Sequence, residues 1–332
     1  MSMLRMFAGG VSLCVMVLGG FPAFGLQAAG VDRQAASASL ASANRSLGDY
    51  QSAERVLRGG LEDPSGSVAG RVTLMVNLAD LLREEARWSE ADQILNTAAA
   101  LQDLPRQAHI SILLERAELR REMHQWVESI EDWNEIGRIA EKENSKSLEE
   151  VYTGGLGETW LASGETARAE PLLRRSLALL RKDPAASPSQ IATALALMAQ
   201  LYAAEDKLAL AREALEEAIA RDEVCLGQEH PQVAVMLELH ATILSRRGET
   251  DAARADLDRA RSIMTTHFGE ESTAVAGVDA TLGYLEESAR QPELAAAAYG
   301  RALTLLHKTG ADGLKFSEQL AKRYAATIKS LK

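Results

Sequence analysis

The amino-acid sequence predicts an all-α protein built from consecutive helix pairs, and three observations lead to that prediction. The first is composition: of 332 residues, 46% are hydrophobic but only 5% are aromatic. This favours helices packed through small residues over a β-sandwich, which needs β-branched and aromatic side chains. The second is a pattern that recurs at intervals of 38 to 42 residues. The third is a separate amphipathic segment that follows the last copy of the pattern.

The formal net charge of −11 limits the class of partner. An acidic chain repels phosphate backbones, so we expect no nucleic-acid partner. The two cysteines, Cys14 and Cys225, are too few for a disulfide framework.

Residues 1–29 have the layout of an export signal peptide. Arg5 is their one cation, and no further charged residue occurs before Asp32. An apolar run over residues 6–21 is followed by small residues suited to a cleavage site. The alternative is an uncleaved membrane anchor, against which Pro22 and the glycines of the run argue. We therefore expect an exported protein, periplasmic or secreted, with no membrane insertion after cleavage.

The recurring pattern combines a polar turn with small and large residues at fixed positions. A small residue follows each turn, at Ala53, Ala91, Ser129, Ala169, Ala211, Ala253 and Ala295. A large residue stands four positions later, at Leu57, Leu95, Trp133, Leu173, Leu215, Leu257 and Tyr299. A second small residue precedes each turn, at Ala41, Ala79, Ala117, Gly157, Ala199, Ala241 and Gly283.

Helix packing explains this pattern. Two antiparallel helices joined by a tight turn approach closely only where small side chains lie at the crossing. The large residue fills the gap between one pair and the next. A single pair cannot bury its apolar face, so the pairs stack. The predicted pairs lie at about 34–67, 72–105, 110–143, 150–183, 192–225, 234–267 and 276–309.

The pattern resembles the tetratricopeptide-repeat family, and its later units are similar to the 42-residue units of kinesin light chains. "LGQEHPQVA" (226–234) is similar to the linker of those units, and it aligns with "FGEESTAVA" (268–276) after a shift of 42 residues. The resemblance implies a right-handed superhelical solenoid of about seven helix pairs, whose first helices line a concave face. Arg116 and His240 occupy first-helix positions where the family usually has Leu, and Ile136 replaces a small residue. We therefore expect altered packing in the third and sixth pairs.

Residues 314–331 are predicted to form a helix that caps the last pair. Leu320 and Tyr324 lie on its apolar side, whereas Lys322 and Arg323 are expected to face water. Solenoids need such a cap because the last pair would otherwise expose its apolar face.

No set of side chains in the sequence points to catalysis. The six histidines never occur at a helical metal-ligand spacing. His230 follows Glu229 and could suggest a general base, but the equivalent positions of the neighbouring units hold Ser272 and Pro188. Because Pro231 is typical of a first helical position, we interpret this stretch as a joint between two helix pairs. We expect no enzyme, no cofactor and no metal.

Binding another protein is the more natural function, and the resemblance implies that first-helix side chains line its groove. The predicted partner-binding residues are Arg45, Arg83, Arg121, Asp80, Glu118, Glu158, Gln200 and Tyr284. The three arginines occupy one position in the first three pairs. They form either a basic ladder that binds an acidic or C-terminal carboxylate segment, or they are neutralised by Asp80 and Glu118 at i,i+3 spacing.

The sequence thus predicts an exported scaffold for protein–protein interaction, whose concave groove binds a peptide or helix of its partner. The alternative is a non-catalytic assembly or regulatory subunit of a cell-envelope biogenesis or secretion complex, which uses its convex face. The sequence leaves the oligomeric state open.

Overall fold

The computed structural model describes residues 33–46, 50–63, 66–311 and 315–331. These ranges contain fifteen α-helices and no β-strand, so the predicted all-α class is confirmed. The signal peptide predicted for residues 1–29 lies outside the described residues. The chain divides after Glu165 into two compact units.

The N-terminal unit contains the helices of the first three pairs and the first helix of the fourth. They are α1 (Arg33–Ser46), α2 (Tyr50–Leu61), α3 (Val68–Glu84), α4 (Trp88–Ala99), α5 (Arg106–Glu122), α6 (Trp126–Glu143) and α7 (Lys146–Ser163). Each helix packs against the next one in the chain. The first helices of successive pairs also touch, α1 with α3, α3 with α5 and α5 with α7.

The C-terminal unit begins at Thr166 and follows the same plan. Its helices are α8 (Thr166–Lys182), α9 (Pro188–Ala204), α10 (Leu208–Leu226), α11 (Pro231–Arg246), α12 (Thr250–Phe268), α13 (Thr273–Ser288), α14 (Pro292–Lys308) and α15 (Lys315–Ser330). Each again packs against its successor, and the first helices α11 and α13 touch. Among the described residues, none of the helices combines the length and the apolar character needed to cross a membrane.

The small and large positions of the repeat form the core. The seven small residues after the turns and the seven large residues four positions later are at most 2% exposed. Burying one large apolar side chain contributes roughly 1.5–3 kcal/mol. The repeat pattern therefore marks the residues that stabilise the helix pairs.

Aromatic side chains at the large position are accommodated by glycine. A Cβ atom at Gly155 would overlap the ring of Trp133, and one at Gly283 would overlap the ring of Tyr299. Elsewhere the large position holds Leu, and the facing helices need no such glycine. These two glycines thus follow from the size of the side chain that packs on them.

The two polar departures from the family pattern are compensated within their own helix pairs. Arg116 Nη2 lies 2.6 Å from Asp132 Oδ1, and His240 Nδ1 lies 2.7 Å from Asp256 Oδ2. In both pairs the aspartate stands sixteen residues after the basic residue. Ile136, on α6 of the third pair, is fully buried. Each polar substitution is therefore matched by an aspartate of the second helix, and the helix pairs are kept.

The stretch around His230 is the joint between α10 and α11. His230 is the N-cap of α11, and its Nδ1 accepts a hydrogen bond from the backbone N–H of Gln232 at 3.1 Å. Ser272 caps α13 and Ser187 caps α9 in the same way. The side chain thus satisfies a backbone donor at a helix start.

The capping helix α15 packs on α14, and Leu320 is fully buried. The expectation that Arg323 faces water is wrong. Its guanidinium lies 4.9 Å from the ring centroid of Tyr284, and its Nη1 lies 2.9 Å from Glu287 Oε2. A cation over an aromatic face with a carboxylate beside it is stable in a partly buried place, which explains the inward orientation.

Candidate interaction surface

Arg83, on α3, is the centre of an ion-pair cluster. Its Nε donates to Glu115 at 2.8 Å, its Nη1 to Glu122 at 2.8 Å and its Nη2 to Asp80 at 2.6 Å. The side chain is only 9% exposed. Burial opposes its charge, but Glu115, Glu122 and Asp80 more than offset that cost and raise the pKa of Arg83. All three guanidinium nitrogens are thus engaged within the chain.

The helix α5 presents two of these carboxylates because of their spacing. Glu115 and Glu122 are seven residues apart, which places them two turns apart on one side of α5, facing α3. Asp80 reaches the same guanidinium from one turn earlier on α3. The cluster therefore joins the first helices of the second and third pairs.

Arg121, also on α5, pairs with the next first helix. Its Nη1 lies 3.2 Å from Glu158 Oε1 on α7. Burial raises the pKa of Glu118, while Arg121 and Arg83 oppose the rise. Of the two pairs expected at i,i+3 spacing, Asp80 and Arg83 form an ion pair within α3. Arg121 instead pairs with Glu158 of the following repeat.

Carboxylates outnumber arginines in this part of the N-terminal unit. The acids around Arg83 and Arg121 are Asp80, Glu115, Glu118, Glu122 and Glu158. Burial raises the pKa of Glu115 to about 8, although Arg83 opposes the rise. The first helices of this unit thus carry more carboxylates than guanidinium groups around Arg83 and Arg121, the reverse of a free basic ladder. Arg45 belongs to α1, but its side chain lies outside the described part of the chain.

The two predicted residues of the C-terminal unit differ in their surroundings. Gln200, on α9, is half-buried. Tyr284, on α13, packs edge-on against Tyr299 with ring centroids 5.5 Å apart, and Arg323 covers its face. Tyr284 therefore helps to hold the capping helix, and Gln200 remains the better candidate for contact with a partner.

The first-helix surface of the C-terminal unit is polar but carries few charges. Its half-buried side chains include Thr193 and Gln200 on α9 and Thr242 and Ser245 on α11. Within the described ranges, no group of three or more His, Cys, Asp or Glu side chains is arranged to hold a metal ion. The chemistry offered by this surface is hydrogen bonding.

Sequence reasoning missed several charged residues of this surface. Glu115 and Glu122 bind Arg83 but were not predicted, because their seven-residue spacing places them on one side of α5 without telling which helix that side faces. Glu238, on α11, is buried and was also missed. A carboxylate inside an otherwise apolar helix pattern is the signal that would have found it.

The repeated helix pairs define the class, an α-helical repeat protein. The sequence profile described as tetratricopeptide repeat matches residues 190–266, which run from α9 into α12. The resemblance predicted from the sequence is thereby confirmed: these residues match the tetratricopeptide-repeat model, and the described chain has the fold of tetratricopeptide-repeat proteins.

Solved structures with similar folds extend over most of the chain. A tetratricopeptide repeat protein from Parabacteroides merdae ATCC 43184 is 18% identical with a TM-score of 0.57, over 90% of this chain and 100% of that one. A Rap protein in complex with Competence and Sporulation Factor is 11% identical with a TM-score of 0.61, over 89% and 86%.

The repeats of a kinesin light chain from Podosopora anserina are 18% identical with a TM-score of 0.50, over 62% of this chain and 99% of that one. No curated protein sequence matches the chain significantly. At these identities the similarities establish the fold.

Proposed function

We propose that this protein is an exported scaffold that binds a peptide or helix of another protein through its first-helix surface. The observation that carries the proposal is the contrast between the two sides of the first helices. In α9 and α11 the side that packs on the second helix of the same pair is apolar and buried. Thr193, Gln200, Thr242 and Ser245, by contrast, are polar and only half-buried. Helix pairing does not need these polar side chains, but a bound backbone or polar side chain does.

The fold supports the same proposal. The similar Rap protein is solved in complex with Competence and Sporulation Factor, so a repeat array of this kind accommodates a partner. The layout of residues 1–29 supports export. N-terminal sequencing of the mature protein tests export, because a chain that still begins at Met1 contradicts signal cleavage.

Site-specific crosslinking in the living cell tests the surface. A photo-crosslinking residue at Gln200 or Thr242 reports on first helices, and one at Ala220 or Ala255 reports on exposed positions of the second helices α10 and α12. We expect discrete adducts from the first pair of positions only. The same adduct pattern from both pairs, or none from Gln200 and Thr242, contradicts the proposal.

The second candidate is an assembly or regulatory subunit that binds through its second helices. Exposed apolar side chains there, such as Leu210 on α10 and Leu294 on α14, favour it. Adducts confined to Ala220 and Ala255 would establish this alternative. Both candidates are non-enzymatic, and robust turnover by the purified protein, abolished by one substitution, contradicts both.

A further inference from the structure

Glu238, on α11, is a buried carboxylate without a cation. The residue is only 7% exposed. Three other buried carboxylates have arginine partners: Asp132 with Arg116, Asp279 with Arg301 and Glu286 with Arg254. In the described part of the chain, Glu238 has no basic group within ion-pair distance, and no charged side chain contributes to the shift of its pKa. An unpaired buried carboxylate is costly, so its position calls for a physical reason.

The one hydrogen bond of the Glu238 side chain is weak and shared. The hydroxyl of Thr281, on α13, lies 3.3 Å from Glu238 Oε2 and 3.1 Å from the carbonyl oxygen of Gly277. A hydroxyl has a single proton, so the two acceptors compete for it. Burial raises the pKa of Glu238 to about 7. The group is therefore close to the balance between its neutral and ionised forms.

Glu238 also differs from Asp222, the other buried carboxylate without an arginine. Both carboxylate oxygens of Asp222 are enclosed and without a hydrogen bond, whereas Glu238 Oε1, which accepts no hydrogen bond either, is not fully enclosed. Glu238 thus keeps one carboxylate oxygen that is not sealed off, whereas Asp222 does not.

The helix α13 leaves open space one turn before Thr281. Gly277 lies one turn before Thr281 on the same side of α13, and a Cβ atom built on it would meet nothing within 4 Å. Thr242 lies one turn after Glu238 on α11, is half-buried, and donates to the backbone carbonyl of Glu238 at 3.0 Å. Glu238 and Thr242 on α11 and Gly277 and Thr281 on α13 thus lie where these two first helices meet, and we call this place the Glu238 notch.

We propose that the Glu238 notch binds the ammonium group of a lysine side chain from the partner segment. This rests on the proposed function, because the notch lies on the first-helix surface. A compact ammonium has three donors, which suit one carboxylate and the hydroxyl oxygens of Thr242 and Thr281. A guanidinium has five donors in a fixed fork and would leave several unsatisfied. Because Thr242 and Ser245 carry no charge, the notch selects a single lysine within a neutral segment.

Lysine binding at this site is coupled to release of a proton. Only the ionised carboxylate attracts the ammonium, so binding weakens as Glu238 becomes protonated. With a pKa of about 7, the ionised fraction is about tenfold lower at pH 6 than at pH 8. The affinity for a lysine-containing segment should fall by the same factor, while binding of a segment without lysine should not.

Peptide pools and the full-length protein test the proposal. Each pool has one fixed central residue, lysine, arginine, glutamate or norleucine, between randomised neutral flanks. We expect the lysine pool to bind at least tenfold more tightly than the norleucine pool at pH 8. This preference should disappear in Glu238→Gln and persist in Glu229→Gln, which changes an exposed carboxylate outside the notch.

The pH profile of the unmodified protein gives a second readout that needs no variant. Equal binding of all pools overturns the lysine inference but leaves the scaffold proposal standing. Absence of binding by the lysine pool, or a lysine preference unchanged by Glu238→Gln or between pH 6 and pH 8, also overturns it. The scaffold proposal fails separately, through the crosslinks from Gln200 and Thr242.

Discussion

The substitution Arg83→Met tests the buried cluster of the N-terminal unit. Methionine keeps much of the side-chain volume but removes the donors that contact Glu115, Glu122 and Asp80 at 2.6 to 2.8 Å. A pair of unit charges about 4 Å apart attracts by about 4 kcal/mol at an effective dielectric constant of about 20. Removing one partner of a buried pair costs about 3–5 kcal/mol. Because Glu115 can take up a proton, we expect a loss of about 3 kcal/mol in the free energy of unfolding.

Tryptophan fluorescence isolates the unit in question. The four tryptophans are Trp88, Trp126, Trp133 and Trp160, and all lie in the N-terminal unit. Urea denaturation followed by this signal therefore reports on the unfolding of that unit, with stability taken from the midpoint and slope. Arg58→Met is the matched control, because Arg58 is 44% exposed and pairs with Glu54 at 2.7 Å. Exposed pairs contribute about 0–1 kcal/mol.

The loss of stability in Arg83→Met should depend on pH, which gives a second test. Arg83 opposes the burial that raises the pKa of Glu115, so its loss raises that pKa further. At pH 5 Glu115 is neutral with or without Arg83. At pH 8 Glu115 is about half ionised in the original protein, whereas in the folded variant it stays protonated, which costs stability at that pH. The deficit of Arg83→Met should thus be larger at pH 8. Equal midpoints for Arg83→Met and Arg58→Met, or a deficit independent of pH, would refute the reasoning.

Three further predictions concern pH, capping and packing. The pKa of Glu115 in the folded state is about 8, above its ordinary value, so the stability that Glu115 contributes is complete below about pH 4.5 and is lost as pH rises through 8. The urea midpoint measured by tryptophan fluorescence should therefore fall from pH 5 to pH 8, and a rise contradicts this prediction. Burial and the nearby His267 lower the pKa of His230, so the stability that this N-cap contributes is present above about pH 6.5 and is lost as pH falls through the folded pKa. At pH 5.5 a serine cap should therefore hold α11 better than His230 by about 0.5–2 kcal/mol, and His230→Ser should slow hydrogen exchange of α11. Unchanged exchange argues against the cap. Gly283→Ala should destabilise the C-terminal unit by about 1–3 kcal/mol, because the added methyl group overlaps Tyr299. Gly300→Ala meets only ordinary contacts and should stabilise α14 by about 0.5–1 kcal/mol. Hydrogen exchange of α14 measures both changes in stability, and changes of the same sign contradict the packing argument.

The fold was predictable because each helix pair satisfies the same local condition. Ala211 and Leu215, for example, lie at the crossing and the gap of one pair and are fully buried. These positions are set by spacing within one helix, which the sequence displays directly. The helix start at Pro231 was predictable for the same reason, since capping depends on neighbours in sequence.

The partners of Arg83 could not be predicted in this way. They stand 3, 32 and 39 residues away, and only the first spacing belongs to a single helix. The other two depend on the rotation of α5 against α3, which decides whether Glu115 and Glu122 or the intervening Glu118 face the guanidinium. That rotation is set by the packing of many apolar side chains and has no local mark. Spacing within one helix therefore predicted the ion pair of Asp80 and Arg83 correctly. It could not predict that acids outnumber arginines on the surface around Arg83.

The same reasoning explains why Glu238 becomes informative only in three dimensions. On a helix the positions three and four residues away are neighbours, and around Glu238 they hold Ala234, Val235, Ala241 and Thr242, none of them basic. Its surroundings also depend on α13, where a lysine or arginine in place of Thr281 would have completed a pair like that of Asp279 and Arg301. Instead Thr281 offers a shared hydroxyl, and Gly277 leaves open space beside it. The chain provides arginines for Asp132, Asp279 and Glu286, whereas Glu238 has a neutral hydroxyl and one oxygen that is not sealed off, where a cation of a bound partner can complete the pair.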